Sequence, residues 1–221
     1  MSSTAGATAD IRNSYEEEIY SCREESEVDD RRLFIPARCI HELVEAQPAT
    51  IRALLPTASQ ELIDFVCGPA QKLFLTLWQA PYQPELVEVL EEFRSYDFDD
   101  EYLPIEDITD AGDHECKLHI IRRKRRVAGA SEEVTCKHSP VLDVFHHKRW
   151  TIGSLTQFRH RQWMFTAPIF TEDRILEELV TGCILPFTWK SRDERSGHFG
   201  TVQEVGLHID HQDVLELVRP G

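Results

Sequence analysis

The residues best suited to chemistry lie near the C-terminal end of the 221-residue chain, where Gly197, Phe199, Gly200 and Val202 form the pattern G-x-F-G-x-V. Glycine has no Cβ atom, so its backbone N–H groups can come close to an anion in a tight turn between two strands. The pattern predicts a strand–turn–strand loop that could cover the phosphates of a nucleotide, with Val202 against the base. An ordinary β-hairpin turn explains the same glycines, and both interpretations stay open.

The flanking sequence carries a resemblance to a known family. The stretches Gln162–Phe170 (QWMFTAPIF), Leu185–Phe187 (LPF), Gly197–Val202 and His208–His211 together resemble fungal protein kinase domain-containing proteins. In those proteins a QWxFxAPxF stretch and an LPF lead-in precede the glycine loop. The resemblance is close over these stretches and looser over the helical region before them.

The resemblance implies serine/threonine phosphoryl transfer that uses ATP and Mg²⁺. Carried over by position, it implies that the phosphate-loop residues are Gly197, Phe199, Gly200 and Val202. It also implies that the last part of the chain, 183–221, begins a kinase-like N-lobe.

Several positions depart from the family pattern. Arg195 stands where a kinase has its first loop glycine, and no lysine follows Lys190. The sequence contains neither H-R-D-x-x-x-x-N nor D-F-G, and the string His208-Ile209-Asp210 is followed by Leu215 where the motif needs asparagine. Phosphoryl transfer depends on several such elements acting together. We therefore expect a chain that is not catalytic on its own, with ATP binding weak or absent.

Two functional hypotheses follow. The first is a non-catalytic fragment or degenerate member of a fungal serine/threonine kinase-like family. The alternative is a stand-alone protein-interaction module without nucleotide binding, in which the helical region contacts a protein partner. An active kinase is disfavoured by the missing motifs.

Residues 106–140 contain two further candidates. Histidines and cysteines occur there at spacings that loosely resemble a zinc site, but neither C-x2-C nor H-x3-H is present, which favours surface side chains in a linker. The basic run Arg122–Arg126 is typical of a nuclear import signal, or of a segment that contacts the chain's own acidic half. The zinc candidates are His114, Cys116, His119, Cys136 and His138.

The segment order predicts an α+β fold: a helical N-terminal region, an aromatic-rich segment, then a partial antiparallel β-sheet. We expect five consecutive segments. They are a disordered acidic tail (1–30), a helical region (31–105), a charged linker (106–140), an aromatic-rich segment (141–182) and the partial sheet (183–221).

Local patterns predict particular elements within these segments. Thr57–Gln60 has the form of a capping box before a helix that carries an apolar face. The apolar run Lys72–Trp78 predicts a buried strand. Apolar residues at helical spacing predict a helix over Glu85–Phe93, and another is expected over Arg174–Thr181.

Charge and cysteine use limit the functional classes. Residues 1–116 carry 8 basic and 26 acidic side chains, a net of −18, whereas residues 117–221 carry 16 basic and 13 acidic, a net of +3. The acidic half argues against nucleic acid binding. Six scattered cysteines indicate a reducing compartment, and we expect a cytoplasmic or nuclear protein without a membrane segment.

Overall fold

The chain contains both helices and short strands, which confirms the α+β class. The structure, a computed structural model, describes residues 3–80, 85–106, 119–120, 140–171, 182–192, 195–197 and 200–213. In chain order the elements are α1 (Ser3–Ser21), β1 (Glu24–Glu25), β2 (Leu33–Phe34), α2 (Ala37–Leu43), α3 (Pro48–Leu54), α4 (Gln60–Cys67), α5 (Gln71–Trp78), α6 (Leu86–Ser95), β3 (Ile105–Glu106), β4 (His119–Ile120), α7 (Ile152–Gln162), β5 (Phe170–Thr171), β6 (Phe187–Lys190), β7 (Arg195–Gly197), β8 (Gly200–Val202), β9 (Val205–Leu207) and β10 (Gln212–Asp213).

The chain divides into two units rather than five consecutive segments. The first unit combines Met1–Leu43 with Trp163–Gly221, and the second unit is Val44–Gln162. The two ends of the chain therefore share a unit, a grouping that a segment-by-segment interpretation of the sequence does not reveal.

The prediction of disorder over residues 1–30 is wrong for the described part of this range, residues 3–30, because α1 is anchored in the first unit. Tyr15 and Ile19, four residues apart and thus on one helical face, are fully buried. The Tyr15 hydroxyl donates a hydrogen bond to the Leu43 carbonyl at 3.1 Å. Beyond α1, β1 and β2 pair antiparallel, with Glu24 opposite Phe34.

The helix predicted after residue 57 is confirmed as α4, but its cap lies further along the chain. The Ser59 hydroxyl, not that of Thr57, accepts a hydrogen bond from the Leu62 N–H at 3.1 Å. Such a side-chain acceptor satisfies one of the N–H groups that a helix start leaves unpaired.

The predicted strand at residues 72–78 is wrong; this segment is the helix α5. Its side chains from Leu73 to Trp78 are buried, and a run that is apolar on all sides has no periodicity to separate helix from strand. The helix start receives its cap from a distant residue. The Asp100 carboxylate accepts hydrogen bonds from the N–H groups of Lys72 (2.9 Å) and Leu73 (2.8 Å).

The second unit is centred on an aromatic cluster. α6 confirms the helix predicted over Glu85–Phe93 and buries Phe93. Its ring lies 5.0 to 6.1 Å, between centroids, from those of Phe98, Phe145, Trp150 and Phe158. Rings at these distances add favourable edge and stacking contacts to the area they bury. Phe145, Trp150 and Phe158 of the predicted aromatic-rich segment are thus packed in this cluster.

A buried glutamine connects α7 to β3 in the same unit. The Gln162 side chain donates to the Ile105 carbonyl (2.7 Å) and accepts from the Ile105 N–H (2.8 Å). The amide therefore pairs with the backbone as a neighbouring strand would, and both of these polar groups are satisfied away from water.

The core of the first unit brings both chain ends together. Phe34, Ala167 and Ile184 form a buried cluster, with Trp163 packed against it. The Ile35 N–H donates to the Met164 carbonyl at 2.8 Å. The N-terminal strands thus lie against the segment that precedes the glycine-rich sequence.

Candidate functional site: the glycine hairpin

The strand–turn–strand prediction for the glycine-rich sequence is confirmed. β7 and β8 pair antiparallel, with Arg195 opposite Val202 and Gly197 opposite Gly200. A connection of two residues joins the strands, and Phe199, one of the predicted site residues, lies outside the described residues. We call residues 187–207 the glycine hairpin.

The hairpin extends away from the turn through a second pair of strands. β6 and β9 pair antiparallel, and Trp189 lies opposite Gly206. Between the two pairs the Ser191 N–H donates to the Glu204 carbonyl (2.8 Å), and the Gln203 amide donates to the Ser191 carbonyl (2.6 Å). These contacts align the glycine turn with the strands at its base.

Two apolar side chains of the hairpin face solvent. Val202, predicted to contact a nucleotide base, is 70% exposed, and Trp189 is 50% exposed. The sequence analysis did not single out Trp189. Its position opposite a glycine, which leaves room for a large ring, depends on a register that the sequence alone does not specify.

The N-terminal strands hold the base of the hairpin. The Glu27 N–H donates to the Phe187 carbonyl at 2.8 Å. His208 follows β9, and its Nε2 lies 3.1 Å from Glu24 Oε1, while its Nδ1 accepts from the Asp210 N–H. Because Nδ1 is an acceptor, Nε2 carries the ring proton and donates to the carboxylate. Sequence analysis did not link Glu24 with His208, which are 184 residues apart.

The His208-Ile209-Asp210 string has a structural role. His208 caps the 3₁₀ turn Ile209–His211. The neighbouring His211 is buried, and its Nδ1 donates to the Pro168 carbonyl at 2.9 Å. Its ring also meets Phe34 edge-on at 5.5 Å, so this histidine belongs to the core of the first unit.

Over residues 208–213, the described part of the chain after β9, no third antiparallel strand joins the hairpin. Instead, β10 pairs parallel with β5, with Gln212 opposite Phe170. Among the described residues, the strands of the glycine hairpin pair only with each other. The hairpin therefore lacks, over this range, the neighbouring strand that supplies the phosphate-binding lysine in a kinase.

The second unit contains a cleft of about 610 Å³. Arg149 lies there between Glu92 (3.1 Å) and Glu85 (3.5 Å), and His147 lies 3.1 Å from Glu92. The residues that line the cleft include two acidic side chains, Glu85 and Asp143, and two basic ones, Lys148 and Arg149, so the lining has no excess of one charge with which to attract an ion.

The remaining sequence candidates fall largely outside the described residues. Of the five zinc candidates only His119 is described, in β4, and the run Arg122–Arg126 is not. Over the described ranges, no three His, Cys, Asp or Glu residues are grouped so that they could hold a metal ion. None of the described helices has the length and apolar character needed to cross a membrane.

Comparisons with family models, curated proteins and solved structures found no match for this chain.

Proposed function

We propose that this chain is a non-catalytic relative of fungal serine/threonine protein kinase-like proteins, and that the glycine hairpin is a retained nucleotide phosphate loop. The observation that carries the proposal is the position of Gly197 opposite Gly200 across a two-residue connection. Because neither glycine has a Cβ atom, an anion could approach the backbone of this turn closely. The exposed Val202 lies on the adjoining strand, where an apolar contact with a base is possible.

The residues present fit ATP only in part. Gly197 and Gly200 suit the phosphates, but Arg195 occupies the first glycine position, and the sequence has no lysine after Lys190 to neutralise phosphate charge. Without that charge the backbone groups alone bind a polyanion weakly. The proposal is therefore weak ATP binding without phosphoryl transfer, and Mg²⁺ enters only through the family resemblance.

A thermal-shift titration with Mg-ATP tests the hairpin directly. We expect a small rise in midpoint at high nucleotide concentration that is absent in the double variant Gly197→Val, Gly200→Val. The variant Gly153→Ala, in α7, serves as a matched glycine control and should respond like the parent protein. A large midpoint rise that survives both hairpin substitutions would place the nucleotide elsewhere and overturn the proposal.

A second candidate function is a protein-interaction module without nucleotide binding. Three exposed apolar side chains, Trp189 (50%), Val202 (70%) and Ile209 (77%), lie on the hairpin and the turn that follows it. Exposed tryptophan is enriched at protein interfaces because its ring buries a large area. Proximity labelling with the full chain and with Trp189→Ala tests this function. Loss of a reproducible neighbour, together with no response to Mg-ATP, would favour the interaction module.

A further inference from the structure

His208 uses both of its ring nitrogens to connect the base of the glycine hairpin to other parts of the first unit. Its Nε2 donates to the Glu24 carboxylate of β1 at 3.1 Å, and its Nδ1 accepts from the Asp210 N–H, also at 3.1 Å. The second contact caps the 3₁₀ turn Ile209–His211. The His208 side chain is 12% exposed, so a proton from solvent can reach the ring although most of it is buried.

We propose that His208 is a pH-sensitive switch that releases the cap of the 3₁₀ turn Ile209–His211 when its imidazole gains a proton. Histidine is the side chain whose charge ordinarily changes between pH 5 and pH 8. In the neutral ring Nδ1 offers a lone pair to the Asp210 N–H, whereas in the imidazolium both nitrogens are donors. The added proton binds to Nδ1 and faces the Asp210 N–H. Two donors cannot form a hydrogen bond with each other, so the cap is lost.

The two contacts of His208 respond to this proton in opposite directions. Nε2 remains a donor in the imidazolium, and its contact with the Glu24 carboxylate becomes a charge-assisted hydrogen bond, which is stronger than a neutral one. Acid therefore exchanges the cap of the turn for a stronger contact with β1. The hairpin base stays attached to the N-terminal strands while the turn after it loosens.

The rings around His208 limit where positive charge can be added. The His211 ring lies 5.8 Å from that of His208, and the Phe34 ring meets both histidines edge-on. His211 is buried, and its Nδ1 already donates to the Pro168 carbonyl at 2.9 Å. A second positive charge on His211 would be both desolvated and close to the first. The half-exposed Glu24, by contrast, favours charge on His208.

The remaining charged groups belong to the turn itself and to α2, which packs against it. On the turn, the Asp210 carboxylate adds negative charge beside His208. On α2, Arg38 pairs with Glu42 at 2.7 Å, so the charges of these two side chains offset each other. The other titratable side chains of α2 are Cys39 and His41.

The turn connects the glycine hairpin to the pair of strands β5 and β10. The His208 N–H donates to the Pro186 carbonyl, just before β6, at 2.8 Å. Beyond the turn, Gln212 of β10 lies opposite Phe170 of β5. Loosening the turn should therefore act on β10, while the backbone contact with Pro186 continues to hold the hairpin base. This inference does not depend on nucleotide binding.

An NMR titration of the full chain between pH 8 and pH 5 tests the switch. The ring-nitrogen signals of His208 should show a proton on Nε2 alone at pH 8 and on both nitrogens in acid. The Asp210 amide signal should change together with them. In acid the Asp210 N–H should exchange on the order of fivefold faster than in His208→Asn at the same pH. Asparagine provides an acceptor near the position of Nδ1 but gains no proton, so its turn stays capped.

Two further variants separate charge from structure. In Glu24→Gln the amide oxygen can still accept from Nε2, but it no longer attracts the imidazolium, so the Asp210 response should begin at a lower pH than in the parent. His160→Asn, at an exposed position of α7, is the matched histidine control and should leave the Asp210 response unchanged.

The inference is overturned by any of three results. One is a His208 ring that carries its proton on Nδ1 at pH 8 or stays neutral down to pH 5. Another is a His208 ring that gains a proton while the Asp210 amide signal and exchange rate stay the same. The third is an Asp210 response that persists in His208→Asn, because it would then come from His211. The titration of the parent protein alone distinguishes the first two, so the test does not depend on whether the variants fold.

Discussion

The indole of Trp163 covers Gly182 so closely that a Cβ atom added to the glycine would lie 3.0 Å from Trp163 Cε2 and 3.1 Å from Nε1. Gly182 also has a positive φ of 97°, and its carbonyl accepts a hydrogen bond from the Arg32 guanidinium at 2.6 Å. One glycine therefore allows the tryptophan to approach the core of Phe34, Ala167 and Ile184 and at the same time fixes the turn between the N-terminal strands.

Replacing Gly182 with alanine should destabilise the protein. The added methyl group meets the indole, and the positive φ is unfavourable for a residue with a Cβ atom, so we expect a loss of about 1–3 kcal/mol in the free energy of unfolding. Gly153→Ala is the matched control, because a Cβ there meets only Thr151 Oγ1 at an ordinary 3.8 Å. In α7 that change should be neutral or stabilise by up to about 1 kcal/mol. Equal effects of the two substitutions in urea unfolding would contradict this account of Gly182.

Replacing Gln162 with leucine should lower the free energy of unfolding more than the same change at an exposed position of α7. Leucine fills similar space but leaves the N–H and C=O groups of Ile105 without the partners they have now, which should cost about 2–4 kcal/mol. Gln157→Leu, at an exposed position of α7, controls for the residue change and should shift stability by less than about 0.5 kcal/mol. If both variants unfold at the same urea concentration, the Gln162 amide does not support β3.

Asp100 should make stability depend on pH. Burial raises the pKa of the Asp100 carboxylate to about 6. The hydrogen bonds that the carboxylate accepts from two N–H groups of α5 oppose this rise. Because the folded state holds the proton more tightly than the unfolded state, the contribution of Asp100 is fully present below pH 4 and is lost as the pH rises through 6. The stability of the parent relative to Asp100→Asn should fall by up to about 3 kcal/mol between pH 4 and pH 7.

Comparing urea unfolding of the two proteins at several pH values checks this prediction, since the other carboxylates contribute equally to both. Asp97→Asn is a suitable control because Asp97 is exposed and its φ of 53° suits asparagine. A difference between the parent and Asp100→Asn that stays constant or grows between pH 4 and pH 7 would contradict the predicted sign.

Local sequence patterns correctly predicted the elements that are determined by residues only a few positions apart. The apolar face of α6 and the two-residue glycine connection follow from spacing alone, and both are present in the structure. The sequence prediction failed where a distant residue decides the outcome. The start of α5 is capped by Asp100, 27 residues beyond Leu73, and Gln162 pairs with Ile105 across 57 residues.

The same limit applies to the candidate site. The positions of Gly197 and Gly200 were predictable because glycine dictates a turn wherever it occurs in such a pattern. The contact between Glu24 and His208 at the base of the hairpin was not predictable, because the two residues come from opposite ends of the chain. The N-terminal acidic residues appeared to be a solvated tail, since composition records charge but not the burial of two residues such as Tyr15 and Ile19.

We have proposed that the glycine hairpin retains a phosphate loop without the groups that transfer phosphate. Incubation of the purified full chain with Mg²⁺ and γ-labelled ATP, with a general protein substrate added, tests this proposal. We predict no label in the chain or in the substrate, because no lysine or catalytic aspartate motif accompanies Gly197 and Gly200. Labelling by the parent protein that disappears in Gly197→Val, Gly200→Val, and therefore does not come from a contaminating enzyme, would contradict the claim.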